Sequence, residues 1–415
     1  MLELNTDILI IGGGSAGVSA TFAAASTGSK VTLVEGLSYL GGIATSAEVG
    51  TICGLYKFSQ SDITEYVTNG FAKDFADELS KLSETKALHN NKGLHYLPYN
   101  TEAYKKLCFD LLQQKNINIL FNSTVEKVES SDQFIQFVIL KTETGTVKVN
   151  CKSIIDCSGN SCISQLANLP VITSNSYQAA AQVFTISGIP EITEDALNFL
   201  VMKELQKAIH QKHLEENFNR IYLVQGSLKN NTASFKLGIP ISVTYHDSNL
   251  DTLRDTAIEI INQFVDYFST HIDFFKNMSL QSIAPKVGIR VGVRSLGKYI
   301  LTGEDVLSCR KFDSAIANCS WPIEEWTQDK HVQIKYFAFD DFYQIPADCL
   351  ISNTIHNLFF AGKNISATDE AIASARVMGI CLQTGYAAGL LAANQSVEIP
   401  LINTIRAIQT KHFFA

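Results

Sequence analysis

Neither a CxxC pair nor a Cys/His metal-ligand spacing occurs among the nine cysteines, which are Cys53, Cys108, Cys151, Cys157, Cys162, Cys309, Cys319, Cys349 and Cys381. Their odd number and wide scatter argue against a disulfide framework or a metal site, and they read as reduced thiols of a cytoplasmic protein. Positive charge is also short. The 33 Lys and Arg face 41 Asp and Glu, for a net charge of −8, so a global basic footprint for nucleic acid is missing. Charged residues are only 18% and apolar residues 46%, which excludes a disordered chain. With 25 Gly and 8 Pro in 415 residues, the chain is neither collagen-like nor a proline-rich linker. No internal repeat or low-complexity tract interrupts it. The opening Met-Leu-Glu-Leu-Asn-Thr-Asp lacks the basic region and cleavage site of a secretory signal. The longest uncharged run, 377–397, is long enough to raise the question of a membrane span. Gln383, Thr384, Tyr386, Asn394, Gln395, Ser396 and three glycines dilute it, so a buried helix is expected.

The most informative unit is 6–35. Asp7-Ile-Leu-Ile-Ile11 is a short continuous apolar run, as in a buried parallel strand. Ser15–Thr27 is Ala-rich and free of Pro, which predicts a helix ending near Gly28, and Val31-Thr-Leu-Val34 predicts a second strand. Between the first strand and the helix lies Gly12-Gly13-Gly14-Ser15-Ala16-Gly17, a G-x-G-x-x-G pattern in its required strand–turn–helix context. Gly12 permits the tight turn, Gly14 the approach of a pyrophosphate, and Gly17 close packing of helix on strand. The helix N-terminus, with Ser15 and Ala16, offers free N–H groups and partial positive charge to phosphates. Glu35 ends the second strand 18 residues after Gly17. There a carboxylate accepts hydrogen bonds from ribose hydroxyls and repels a 2′-phosphate, which argues against NADP.

Residues 60–120 read as mostly helical, with 101–115 amphipathic. Strand signals return at Ile117–Asn122, Phe134–Lys141, Gly145–Val149 and Ser153–Asp156. Asn357–Ala361 is another short apolar strand, feeding Gly362 and a helical stretch over 369–393. The chain ends share one style and the middle another. The expected fold is therefore α/β: a Rossmann-like nucleotide-binding domain built from both ends (1–165 and 341–415), with an inserted α+β substrate domain (166–340). Three features point towards FAD rather than NAD: the second glycine turn Gly41-Gly42 followed by Thr45 and Ser46, the returning strand and glycine at Asn357–Lys363, and the small-residue turn Asp156-Cys157-Ser158-Gly159.

Three blocks carry a resemblance to a known family. They are Asp7–Tyr56, the stretch from Gly288-Ile-Arg290-Val-Gly-Val-Arg294 to Thr302, and the stretch from Tyr343-Gln-Ile-Pro346 to Gly389, which contains Ala361-Gly-Lys-Asn-Ile-Ser366 and Ala373-Ser-Ala-Arg-Val-Met-Gly379. With these the chain resembles the FAD-dependent oxidoreductases of the glutathione-reductase type, in the branch with a single dinucleotide-binding domain. The resemblance implies that Gly12, Gly14, Gly17 and Glu35 hold the ADP half of FAD and that Val125 pairs with adenine through its backbone. It places Gly41, Gly42 and Ser46 by the pyrophosphate and flavin, and Gly362 and Lys363 near the ribityl phosphate. A helix beginning near Met378-Gly379 would aim its N-terminus at the flavin. Family members mostly carry Arg where Lys363 stands; Lys keeps the charge but loses the planar fork.

Candidates for chemistry are fewer. On an alternating strand, Arg290 and Arg294 would share one face and clamp a substrate carboxylate or phosphate, or else pair internally. His246 and Tyr343 are candidate proton partners. Cys53 reads as a packing residue more readily than as a redox thiol or a point of covalent flavin attachment, and Trp321-Pro-Ile-Glu-Glu-Trp326 as a packed turn or a cavity wall. The expected activity is a dehydrogenase or oxidase passing hydride between a small metabolite, anionic if the arginines form the clamp, and flavin N5, without a second dinucleotide domain, a metal or a nucleic acid or membrane partner. The alternatives are a flavin monooxygenase or halogenase, whose expected paired motifs are not evident, a flavin-binding electron-transfer or accessory subunit, and a fold that binds FAD for stability or sensing only. Electron acceptor and self-association are left open.

Overall fold

The structure is a computed structural model that describes residues 2–174, 177–244, 247–327 and 332–413. Its largest sheet has seven strands. Five run parallel in the order Ile117–Leu120, Val31–Val34 (β2), Leu2–Ile11 (β1), Gly145–Asp156 and Leu358–Phe360. The 12-residue strand Gly145–Asp156 does two jobs. Its second half joins the parallel sheet, and its first half leads an antiparallel meander with Phe134–Thr142 and Thr124–Ser131. The two apolar signals at 145–149 and 153–156 are thus one strand, and 124–131 is a strand that the sequence pattern did not announce.

β1 and β2 read as apolar runs because both their faces are covered. Ile8, Ile10, Val31 and Leu33 pack with the helix Ser15–Ser26 (α1) and the late helix Met378–Ser396, whereas Leu9, Ile11 and Val34 pack with Val138, Leu140 and Phe360 on the other side. The uncharged run 377–397 is therefore a buried helix, and among the described residues no helix is long and apolar enough to cross a membrane. It crosses α1 on small residues: a Cβ on Gly385 would lie 2.2 Å from Ala16 O, and one on Gly389 2.4 Å from Ala20 O.

A second hydrophobic cluster is formed wholly by residues between Ala180 and Met278. Here four antiparallel strands, ordered Ile221–Leu223, Thr232–Gly238, Ala181–Ser187 and Ser279–Ile283, pack one face against the helices Glu194–His210 and Asp247–His271. Phe184, Phe235, Phe264 and Phe268 fill the space between. By strand alternation Ala181, Val183 and Lys236 belong to the opposite face. Residues 291–345 return to the first core through Val291, Leu301, Ile316, Trp321 and Tyr343.

Three local expectations differ from what is found. Residues 60–120 hold only two helices, Phe71–Ser83 and Thr101–Leu111, beside a small sheet of Thr51–Cys53, His95–Pro98 and Leu88–His89. Apolar positions in so short a span do not separate a helix from a half-buried strand. The helical stretch 369–393 is broken: Asp369–Ala375 ends, Val377 is extended at ψ 151°, and a new helix starts at Met378. Residues 289–293 are not a strand; only Arg294–Ser295 pairs, with Val171–Ile172.

Candidate cofactor cradle and adjoining cavity

The carboxyl ends of the parallel strands open onto a cavity of about 370 Å³. This is where ligands bind in open α/β sheets. Of the residues expected to hold a dinucleotide, Gly12, Gly14, Ser15, Ala16, Glu35, Gly41, Gly42, Ser46, Val125, Ser158, Gly159, Gly362, Lys363 and Met378 line it. Gly17 and Gly379 do not. A Cβ on Gly17 would sit 1.7 Å from Gly12 O, and one on Gly379 2.6 Å from the backbone of Gly54, so both act by letting elements touch.

The turn is built to receive an anion. Gly12 has φ +97°. Gly14 caps α1 without a side-chain hydrogen bond, leaving the first N–H groups of the helix without a capping side chain at the cavity. Glu35 lies across the turn: Oε2 accepts from Gly13 N at 2.6 Å and Oε1 from Leu37 N at 2.8 Å. Burial raises its pKa above the usual value, and those N–H donors pull the other way. Opposite, the buried Asp156 carboxylate accepts from Ser158 N (3.0 Å), Ser158 Oγ (2.6 Å) and Ile163 N (2.8 Å) and so shapes the Ser158-Gly159 turn. Asn364 ties that turn to the returning strand: its Oδ1 accepts from Gly159 N at 3.1 Å and its Nδ2 donates to Asp156 O at 3.1 Å. Lys363 covers Gly159 with its alkyl chain and donates from Nζ to Ile289 O at 2.9 Å; burial brings its pKa down to about 8. Glycine edge, open helix end and a carboxylate at the end of β2 together fit a dinucleotide.

A second cavity, of about 170 Å³, adjoins the first and shares Ile43, Arg376 and Met378 with it. Thr51–Cys53, the sheet residues Ala181, Val183 and Lys236, the segment Gly288-Ile289-Arg290 and the pair Trp321 and Trp326 complete its wall. Arg290 is therefore at a cavity, stacked over the Trp326 ring at 4.2 Å and donating to Ala179 O. Arg294 is not on the same face. It is fully buried, donates to Asp369 Oδ1 at 2.6 Å and to Ser174 Oγ at 3.0 Å, and lines neither cavity, because the segment between the two arginines is not a strand. Tyr343 is buried in the first core, with its hydroxyl on Ser374 Oγ at 2.7 Å, and also lines neither. His246 lies outside the described residues. Cys53 lines the second cavity, but burial pushes its thiol up to about 12, so it is protonated at neutral pH and unsuited to thiolate chemistry. All nine cysteines are free, and among the described residues no cluster of His, Cys, Asp or Glu is arranged to hold a metal ion.

Lys236 and Lys286 were not singled out from the sequence, and Arg376 only as part of the stretch Ala373–Gly379; Glu324 belongs to the Trp321–Trp326 stretch read as a packed turn or a cavity wall. Arg376 is placed by the helix break just before Met378 and lines both cavities. Lys236 is the one charged residue in Thr232–Gly238, on the face away from the phenylalanine core. That interruption was the available signal. Glu324 stands between the two tryptophans.

A family model described as FAD dependent oxidoreductase matches residues 7–410. No curated protein matches the sequence. Among solved structures, an aromatic hydroxylase of angucycline biosynthesis, CabE, is similar at 11% identity and TM-score 0.50, over 97% of this chain and 65% of that one. A geranylgeranyl bacteriochlorophyll reductase-like protein from Thermoplasma acidophilum is similar at 12% identity and TM-score 0.49, over 98% and 84%. The p-nitrophenol 4-monooxygenase PnpA of Pseudomonas putida DLL-E4 is similar at 11% and 0.47, over 98% and 81%. The family match spans the glycine turn, Glu35, the returning strand and the helix at Met378 that together build the cradle: the chain belongs to the FAD-dependent oxidoreductase family, and FAD is its cofactor.

Proposed function

We propose that the protein oxidises or reduces a small metabolite held in the second cavity, with hydride passing between substrate carbon and FAD. The observation that carries this is the shared wall of the two cavities at Ile43, Arg376 and Met378. FAD, when bound, supplies a two-electron acceptor for a hydride at N5. The chain's own residues do the rest. The open end of α1 and the Gly41-Gly42 turn hold phosphate, Glu35 receives ribose hydroxyls, and Val125 faces the adenine end. The helix Met378–Ser396 begins without a side-chain cap at the junction of the cavities, and its partial positive charge favours an electron-rich cofactor beside it. The wall of the second cavity would hold the substrate beside the cofactor, which would supply the two-electron acceptor or donor.

The sheet around Lys236 supplies one wall of the second cavity, which supports reading 166–340 as the segment that carries specificity. One glycine turn of the dinucleotide type supports the single-domain, glutathione-reductase-type branch. Anaerobic titration of the purified, flavin-loaded protein with candidate metabolites tests the proposal. Bleaching of the visible flavin absorption by one of them is the expected result. A flavin that no small molecule reduces, and that a partner protein does reduce, would instead make the chain an electron-transfer subunit.

A further inference from the structure

Arg290, Arg376 and Lys236 converge on the second cavity, and none of them has a carboxylate within ion-pair distance among the described residues. The one acidic side chain in the wall, Glu324, offsets part of their charge through space but forms an ion pair with none of them among the described residues. Glu324 Oε2 accepts from Trp321 Nε1 at 3.1 Å and its Oε1 from Trp326 Nε1 at 2.9 Å. Arg376 uses Nη2 on two neutral oxygens, Gln178 Oε1 at 3.2 Å and Glu324 O at 3.1 Å, and its Nε is buried without a partner. Arg290 rests on Ala179 O and the Trp326 ring. Lys236 rests on the same ring at 4.7 Å. Three cations thus face one carboxylate that is already engaged. Excess positive charge on half-buried side chains is costly unless an anion completes it.

We propose that this cavity binds a small organic acid, with the carboxylate between Arg290, Lys236 and Arg376 and an apolar body against Ile43, Val49, Val183 and Met378. The proposal deepens the functional reading above and rests on it for the identity of the site as the substrate site. The cofactor does not account for the cations, because Lys236 and Arg290 line only the second cavity. A carboxylate is favoured over phosphate. A planar guanidinium matches a carboxylate, the remaining wall is mostly apolar side chains, and no glycine-rich turn surrounds the cations.

The chain has two tryptophans, and both line this cavity. Tryptophan fluorescence therefore reads occupancy in the flavin-free protein as well as in the loaded one. Benzoate, phenylacetate and isovalerate are titrated against benzamide, phenylacetamide, isovaleramide and inorganic phosphate. The expected result is quenching or enhancement by at least one acid, with affinity about tenfold or more above its amide. Arg290→Gln and Lys236→Met should each lose about that factor for the acid and leave the amide and FAD affinity unchanged, whereas Lys236→Arg should restore acid binding. The exposed Arg310→Gln serves as control. Equal binding of acid and amide, silence towards every acid, tighter binding of phosphate than of any acid, or loss of FAD together with acid in Arg290→Gln would overturn the proposal. Failure of the protein to take up FAD would instead overturn the functional reading, and the fluorescence titration of the flavin-free chain would still decide whether the cavity prefers acids.

Discussion

Single residues divide into those that meet the ligand and those that let the backbone do so. Gly14 and Gly17 belong to the same motif but differ in this respect. A Cβ on Gly14 has only Gly42 Cα at 3.7 Å, whereas one on Gly17 overlaps Gly12 O. Gly14→Val should therefore fold with a melting temperature near that of the parent and lose FAD uptake, while Gly17→Val should lose several kcal/mol of stability, on the order of 3–5. Thermal melts with and without added FAD separate the two. The two arginines part in a similar way. Arg294→Leu leaves Asp369 without its cation and should lower the melting temperature with little effect on organic-acid affinity, the reverse of Arg290→Gln. Lys236 adds a pH dependence. Burial brings its pKa down to about 8; Arg290 and Arg376 push the same way, and Glu324 and the Cys53 thiol oppose them. The cross-strand neighbour of Lys236, Tyr222, is titratable too, with a pKa raised by burial. A carboxylic acid ligand is ionised throughout this range. Acid affinity should thus be full below pH 8 and fall as pH rises through about 8, because the ammonium is lost. Lys236→Arg should flatten the profile between pH 7 and 10, as measured by the tryptophan titration.

At the level of elements, the site depends on two helices brought unusually close and on one helix being interrupted. α1 and Met378–Ser396 touch backbone to backbone at Gly385 and Gly389. A side chain at Gly385 must push the helices apart, and with them the Gly12–Gly17 turn and Met378. Gly385→Val should cost about 1–3 kcal/mol in denaturant unfolding and weaken FAD disproportionately, since both ends of the cradle move together. The break at Arg376-Val377 has the opposite character. It ends one helix with a half-buried cation and starts another with open N–H groups at the same point, so one irregularity equips both cavities.

Across the whole molecule, the parallel sheet and its helices carry the cradle, and the sheet centred on Thr232–Gly238 presents its second face to the inner cavity. Its first face has its own aromatic core, in which Phe264 contacts Phe184, Phe235 and Phe268. Phe264→Ala should cost about 3–5 kcal/mol and reduce acid affinity more than FAD affinity. FAD binds only the folded cradle, so at a hundredfold excess over its Kd it should add about 2.7 kcal/mol to stability, read as a rise in melting temperature that is absent from Gly14→Val.

The sequence by itself determined the local part of this protein. The βαβ unit, the glycine turn, Glu35 and the buried helix Met378–Ser396 were legible because each is set by contiguous residues: apolar runs, small residues at fixed spacing and a carboxylate at a strand end. Most of the cradle wall followed from those motifs. The inner cavity did not. Lys236, Arg290, Glu324 and Arg376 come from four separate segments, and nothing in the spacing of residues so distant along the chain shows that they meet. Only tertiary packing decided that Arg290 faces a cavity while Arg294, four residues on, is spent on Asp369. The physical reason is that a backbone pattern is written locally, whereas a cluster of unpaired charges exists only once separate elements have folded against each other.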